Sequence, residues 1–172
     1  RWQDFIPHTC GAVAHPSVDV KIDSLNPAET PGEILLKGDA VTTGYYKNPE
    51  ATKASFTADG WFKTGDMGTM DDKENIVIRG RCKNMILTAN GQNVYPEEIE
   101  ELVNQLPYVA ESLIVGRKHG LVSLIVPDYN AASEANIGNE ELCKQIKEAV
   151  FGINVKLPLY SKITDCEIMK EP

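Results

Sequence analysis

At 172 residues, 42% of them hydrophobic and 24% charged, the chain is long enough for one large domain or two small ones with a buried core. Its 17 Lys and Arg against 25 Asp and Glu give a net charge of -8, which argues against a general nucleic-acid binder. No apolar run approaches the roughly 20 residues that cross a bilayer, and the N-terminal stretch has no signal-peptide apolar core.

Residues 1–23 are punctuated by Pro7, Gly11 and Pro16, then alternate as Val18-Asp19-Val20-Lys21-Ile22-Asp23, the pattern of a half-buried strand. His8 and His15, seven positions apart with proline between and no carboxylate cluster nearby, read as loop residues and not as a metal pair. Arg1-Trp2 starts without a methionine and the end at Pro172 carries no stop signal, so both ends read as cut. Asn26-Pro27 and Thr30-Pro31-Gly32 make a turn before a second strand, Glu33 to Gly38. Pro49 to Phe56 can hold about two helical turns. Trp61 to Thr64 is a short strand leading into a glycine turn, Gly65-Asp66-Met67-Gly68, and Asn75 to Arg79 returns as a strand after the polar loop Asp71 to Glu74. The chain to this point reads as β-rich with one small helix.

Past Gly80 the pattern changes. A basic cluster (Arg79, Arg81, Lys83) is followed by the apolar run Met85 to Leu87, then a small, polar loop from Thr88 to Asn93 with Gly91 inside it. Pro96 opens a helix to Leu106, with Glu97 and Glu98 in its first turn and Ile99, Leu102, Val103 and Leu106 on one face. Glu111 to Gly116 and Leu121 to Val126 form a hairpin, with His119 in its turn. Asn139 is the expected N-cap of a helix Glu140 to Phe151, and Ile163 to Met169 is a last strand. The fold class is therefore α+β, with a boundary where the basic cluster falls. Cys10, Cys82, Cys143 and Cys166 are isolated, the pattern of reduced cytosolic thiols and not of a disulfide frame or zinc site.

Few motifs carry chemistry. There is no GxxxxGK[ST] loop, no GxGxxG after a strand, no HExxH and no GxSxG. Asp66, between two glycines, suits either routine turn chemistry or acceptance of hydrogen bonds from two vicinal hydroxyls such as a ribose diol. If its strand neighbours the one ending at Arg81, both side chains could reach one nucleotide.

Three consecutive blocks resemble the adenylate-forming superfamily of acyl-CoA synthetases, adenylation domains and luciferases. They are Gly32-Glu33-Ile34-Leu35 with Gly38, Gly44-Tyr45-Tyr46, Pro49 to Thr52 and Phe56; then Trp61-Phe62-Lys63-Thr64-Gly65-Asp66; then Gly80-Arg81-Cys82-Lys83, Gly91 and Tyr95 to Glu100. Lys83 to Leu87 and Asn93 to Pro96 resemble the long-chain fatty acid–CoA ligases in particular. The resemblance implies ATP, Mg2+ and CoA as cofactors and a fatty acid as substrate. It implies nucleotide binding by Asp66, Arg81 and Ile78, a hinge at Lys83, and a CoA-facing loop at Gly91 and Gln92. Residues 1–80 would be the final β-rich, distorted barrel-like subdomain of a large AMP-binding domain, and 81–172 a small α+β C-terminal domain. The rest of the N-terminal domain would be its partner, and the protein would be cytoplasmic with peripheral membrane contact left open. The family's adenylation lysine would follow Pro172; neither Lys162 nor Lys170 has its context, so no catalytic residue is expected and the isolated fragment should be inactive. Leu87 stands where some relatives carry lysine. An acyl-carrier-protein or aryl-CoA ligase and a non-catalytic binding module remain alternatives.

Overall fold

Alternation decides the first half. The computed structural model describes residues 6, 9–12 and 17–169, so His8, His15 and Lys170 lie outside the described residues. Strands β1 (Val18–Asp23), β2 (Gly32–Gly38), β3 (Phe62–Met70) and β4 (Ile76–Arg81) form an antiparallel sheet in that order. Ile22, Ile34 and Leu35 are its most buried apolar side chains. Helix α1 (Pro49–Ala54) begins where expected: Pro49 takes the first turn and the Asn48 side chain accepts from the Ala51 N–H. The Trp61 ring is covered by the Lys21 ammonium, 4.4 Å from its centroid.

Among the described residues β1 and β4 do not pair, so the sheet is open and not a closed barrel. One expectation is corrected here. Asp66 lies inside a strand and not in a turn. The glycines around it interrupt the propensity signal, but β3 only bulges against β2 there and does not end.

In the second half, strands β5 (Ile86–Leu87) and β6 (Asn93–Val94) form a small ribbon that leads into α2 (Pro96–Asn104). β7 (Val109–Arg117) and β8 (Gly120–Pro127) make the expected hairpin, with Lys118 and His119 as its turn. One short helix was not expected: α3 (Tyr129–Glu134) is capped by Asp128, whose carboxylate accepts from the N–H groups of Asn130 and Ala131. Helix α4 (Asn139–Ile153) is capped by Gly138, so Asn139 is its first residue and not its cap. It crosses back to β9 (Ile163–Ile168), which pairs with β8 in parallel, giving a mixed three-stranded sheet.

This half owns a continuous core. Ile99 and Val103 of α2, Ile125 of β8, Leu142, Ile146 and Val150 of α4, and Ile163 and Cys166 of β9 are all almost fully buried. The i, i+4 spacing of the α4 residues puts them on one stripe, and fully burying each such side chain contributes about 1.5–3 kcal/mol. Polar bonds fix the packing angles. Glu100 Oε1 accepts from the Ile114 N–H at 2.8 Å and so ties α2 to β7. Burial pushes the Glu100 carboxyl up, that N–H opposes the rise, and the neighbouring Glu97 charge adds to it. Asn154 grips Ile163 twice, donating to its carbonyl at 2.9 Å and accepting from its N–H at 2.7 Å. By contact the chain divides into units Arg1–Lys83 and Asn84–Pro172. No helix among the described residues is long and apolar enough to cross a membrane.

Burial pushes the Cys166 thiol from 9.0 up to about 11. The folded chain therefore holds this proton where the unfolded chain releases it. Stability is full below about pH 9 and falls as pH rises through about 11. Urea unfolding at about pH 8 and about pH 10.5 should show a larger loss in the parent sequence than in Cys166→Ala; an equal loss would show that the thiol is not the linked group.

Candidate functional site

Residues 64–68 are built around a reversal of handedness. Gly65 has φ +76°, a conformation that side chains resist, and the residue is held at both its N–H and its carbonyl. Its N–H donates to Glu33 Oε1 at 3.1 Å, and its carbonyl accepts from the Cys82 N–H at 2.8 Å. Next to it, the Thr64 hydroxyl donates to the Ile34 carbonyl at 2.8 Å and accepts from the Asp66 N–H at 3.0 Å. The ladder slips on both flanks: between Glu33 and Leu35 against β2, and between Met67 and Gly68 against β4.

Asp66 lies directly opposite Arg81, and Gly68 opposite Ile78. Residues two apart on β3 are thus met by residues three apart on β4. On an unbroken ladder Ile78 and Arg81 would point to opposite faces; the extra residue brings both into step with Asp66. The structure so brings to one face the three residues that the sequence singles out for nucleotide binding. Asp66 Oδ1 is 3.0 Å from Arg81 Nη1, which also donates to the Thr64 carbonyl at 3.4 Å. The Arg81 side chain is 53% exposed and that of Asp66 28%, so the pair contributes little to stability. One of the carboxylate's roughly four lone-pair sites meets Arg81 here, and ligand hydroxyls can take others. Ile78, 52% exposed, offers an apolar surface beside the charges.

Lys83 is exposed in the turn after β4 and is the last residue of the first unit. In the second unit, Gly91 (φ +75°) and Gln92 are exposed on the loop between β5 and β6. That loop is closed by Thr88, whose N–H donates to the Gln92 carbonyl at 2.9 Å. Beside it lies a cleft of about 570 Å3, lined by Leu87 to Asn90, by Arg117 to Gly120 of the hairpin turn, and by Tyr160 and Lys162 before β9. Gly91 and Gln92 themselves do not line it. Arg117 is paired with Glu167 at 3.0 Å, so the exposed Lys118 and Lys162 carry the cleft's net positive charge. Sequence reasoning missed this grouping because only the parallel pairing of β8 and β9 brings residues near 118 and 162 together. Among the described residues no group of three or more His, Cys, Asp or Glu side chains gathers.

The family model of the AMP-binding enzyme C-terminal domain matches residues 83–172. The chain belongs to the AMP-binding, adenylate-forming family. Among curated relatives, it is 40% identical over 111 residues to the long-chain-fatty-acid–CoA ligase FadD13 of Mycobacterium tuberculosis, a match covering 62% of this chain and 22% of that protein. It is 44% identical over 86 residues to the 2-succinylbenzoate–CoA ligase of Listeria monocytogenes, covering 50% of this chain and 18% of that one. The crystal structure of ATP-bound MatB from Rhodopseudomonas palustris is similar at TM-score 0.73 and 30% identity, over 96% of this chain and 32% of that one. The chain thus spans about a fifth of these curated relatives.

Proposed function

We propose that this AMP-binding chain is part of an AMP-forming acid–CoA ligase, and that its acid is a long-chain fatty acid. One observation carries the reading: Asp66, Arg81 and Ile78 share one sheet face across a bulged pair of strands in a chain of this family. In the proposed reaction the acid's carboxylate attacks the α-phosphate of ATP, forming acyl-AMP and releasing pyrophosphate. The CoA thiol, losing its proton, then attacks the acyl carbon and AMP leaves with its electron pair. Asp66 accepts hydrogen bonds from the ribose hydroxyls. Arg81 turns its donor fork toward ribose and phosphate oxygens, and Ile78 packs on the nucleoside.

For the second step, Lys83 is the proposed hinge and the loop carrying Gly91 and Gln92 faces the arriving thiol. The positive charge of Lys118 and Lys162 beside that loop suits a phosphorylated acceptor such as CoA. On this reading residues 1–80 complete the large AMP-binding domain, 81–172 form the domain that turns, and the described residues hold no adenylation lysine. Long-chain specificity draws on the likeness to the mycobacterial ligase. The likeness to a 2-succinylbenzoate ligase favours a second reading, an aromatic acid.

Acid-dependent ATP–pyrophosphate exchange by the full-length protein, over acids from acetate to long fatty and aryl acids, decides between these. Exchange peaking with long-chain acids is expected; a peak with aryl acids selects the second reading, and silence from folded protein favours a non-catalytic module. Asp66→Ala should lower kcat/KM at least tenfold, about 1.4 kcal/mol of transition-state stabilisation; unchanged kinetics would remove Asp66 from the site. Lys83→Pro, by fixing φ, should depress thioester formation more than acyl-AMP formation. Equal loss of both half-reactions would count against a hinge there.

A further inference from the structure

Glu33 lies a full strand away from Arg81 and has no counterpart in the reaction described above, yet its carboxylate ends on the peptide that sets Asp66. Oε1 of Glu33 accepts from the Gly65 N–H at 3.1 Å across the β2–β3 ladder. That ladder slips between Glu33 and Leu35, so an ordinary backbone partner is not opposite this N–H and a side chain fills the place. The Cys82 N–H holds the carbonyl of the same residue, on the peptide that leads into Asp66. A second sign of the carboxylate's position comes from the Cys82 thiol. Burial pushes it up, and the Glu33 charge is the next cause, ahead of Asp66.

We propose that Glu33 is a positioning residue for the nucleotide site. By anchoring the Gly65 N–H it holds the left-handed peptide that aims the Asp66 carboxylate and keeps it in register with Arg81. The inference rests on the reading of Asp66 as a ribose ligand. What matters in this role is an acceptor atom at a given distance and not the negative charge. A carboxamide can therefore replace the carboxylate, whereas a carboxylate one methylene shorter cannot.

The test uses the full-length ligase with Glu33→Gln, Glu33→Asp, Glu33→Ala and Asp66→Ala, and AMP as the probe in calorimetric titration. Glu33→Asp and Glu33→Ala should weaken AMP binding about tenfold, with the KM for the acid unchanged, and Glu33→Gln should restore affinity to within about twofold. Hydrogen exchange of the peptide spanning 62–70 should quicken in the Asp and Ala variants and not in the Gln variant. Unchanged AMP affinity and exchange in Glu33→Asp would overturn the proposal, and so would equal losses in Glu33→Asp and Glu33→Gln. Loss of affinity in Asp66→Ala but in no Glu33 variant would sink Glu33's part alone. Unchanged affinity in Asp66→Ala as well would sink the nucleotide-site reading itself.

Discussion

One residue, Gly65, with the peptide groups on its two sides, is the constraint that sets the Asp66 backbone. A strand with every residue in the extended region would present Asp66 and its neighbours at a fixed alternation. Arg81 and Ile78, three apart on β4, share a face with Asp66 because the matching extra residue lies in β4 itself. The left-handed glycine and the two flanking slips break that alternation once and let it resume. The break would be costly if its peptide groups were left without partners, and here each is met: the N–H by Glu33, the carbonyl by the Cys82 N–H. The Thr64 hydroxyl accepts from the N–H of Asp66 and donates across to the Ile34 carbonyl of β2.

The two units solve the burial problem differently. The first has a sheet with few fully buried side chains, and its charged and aromatic groups, such as Lys21 over Trp61, cover apolar surface from outside. The second closes a core between two helices and a mixed sheet, with Leu142, Ile146 and Val150 set one helical turn apart. Its polar side chains join elements instead of filling space: Glu100 reaches from α2 to β7, and Asn154 from the end of α4 to the start of β9.

Much of this was legible in the sequence because local chemistry decides it. The alternation of Val18 to Asp23, the proline at the start of α2, and the apolar stripe of α4 each depend on neighbours within one turn or one strand. Asp66 and Arg81 were marked by residue type and by a single hairpin separating them. What was not legible depends on pairing. The continuation of β3 through two glycines is stabilised by β2 and β4, and glycine's low strand propensity conceals it. The role of Glu33 follows from a register slip that no local pattern encodes. The cap of α4 shifted by one residue because Gly138 and Asn139 are both acceptable there. Helix α3 did carry a local signal, Asp128 before a short run of helix formers, and that signal could have been read.

The parallel pairing of β8 with β9 has a kinetic side. Leu121 and its partner Ile163 are separated by about 40 residues of chain, including both α3 and α4, and that loop must close before the pair forms. The β7–β8 hairpin, joined by two residues, can form long before it. While the chain is being synthesised, β8 therefore presents a bare, apolar edge until α4 has emerged and β9 follows it. During that interval the nascent second unit is open to pairing with strands from other chains, and the arrival of β9 is what closes the edge.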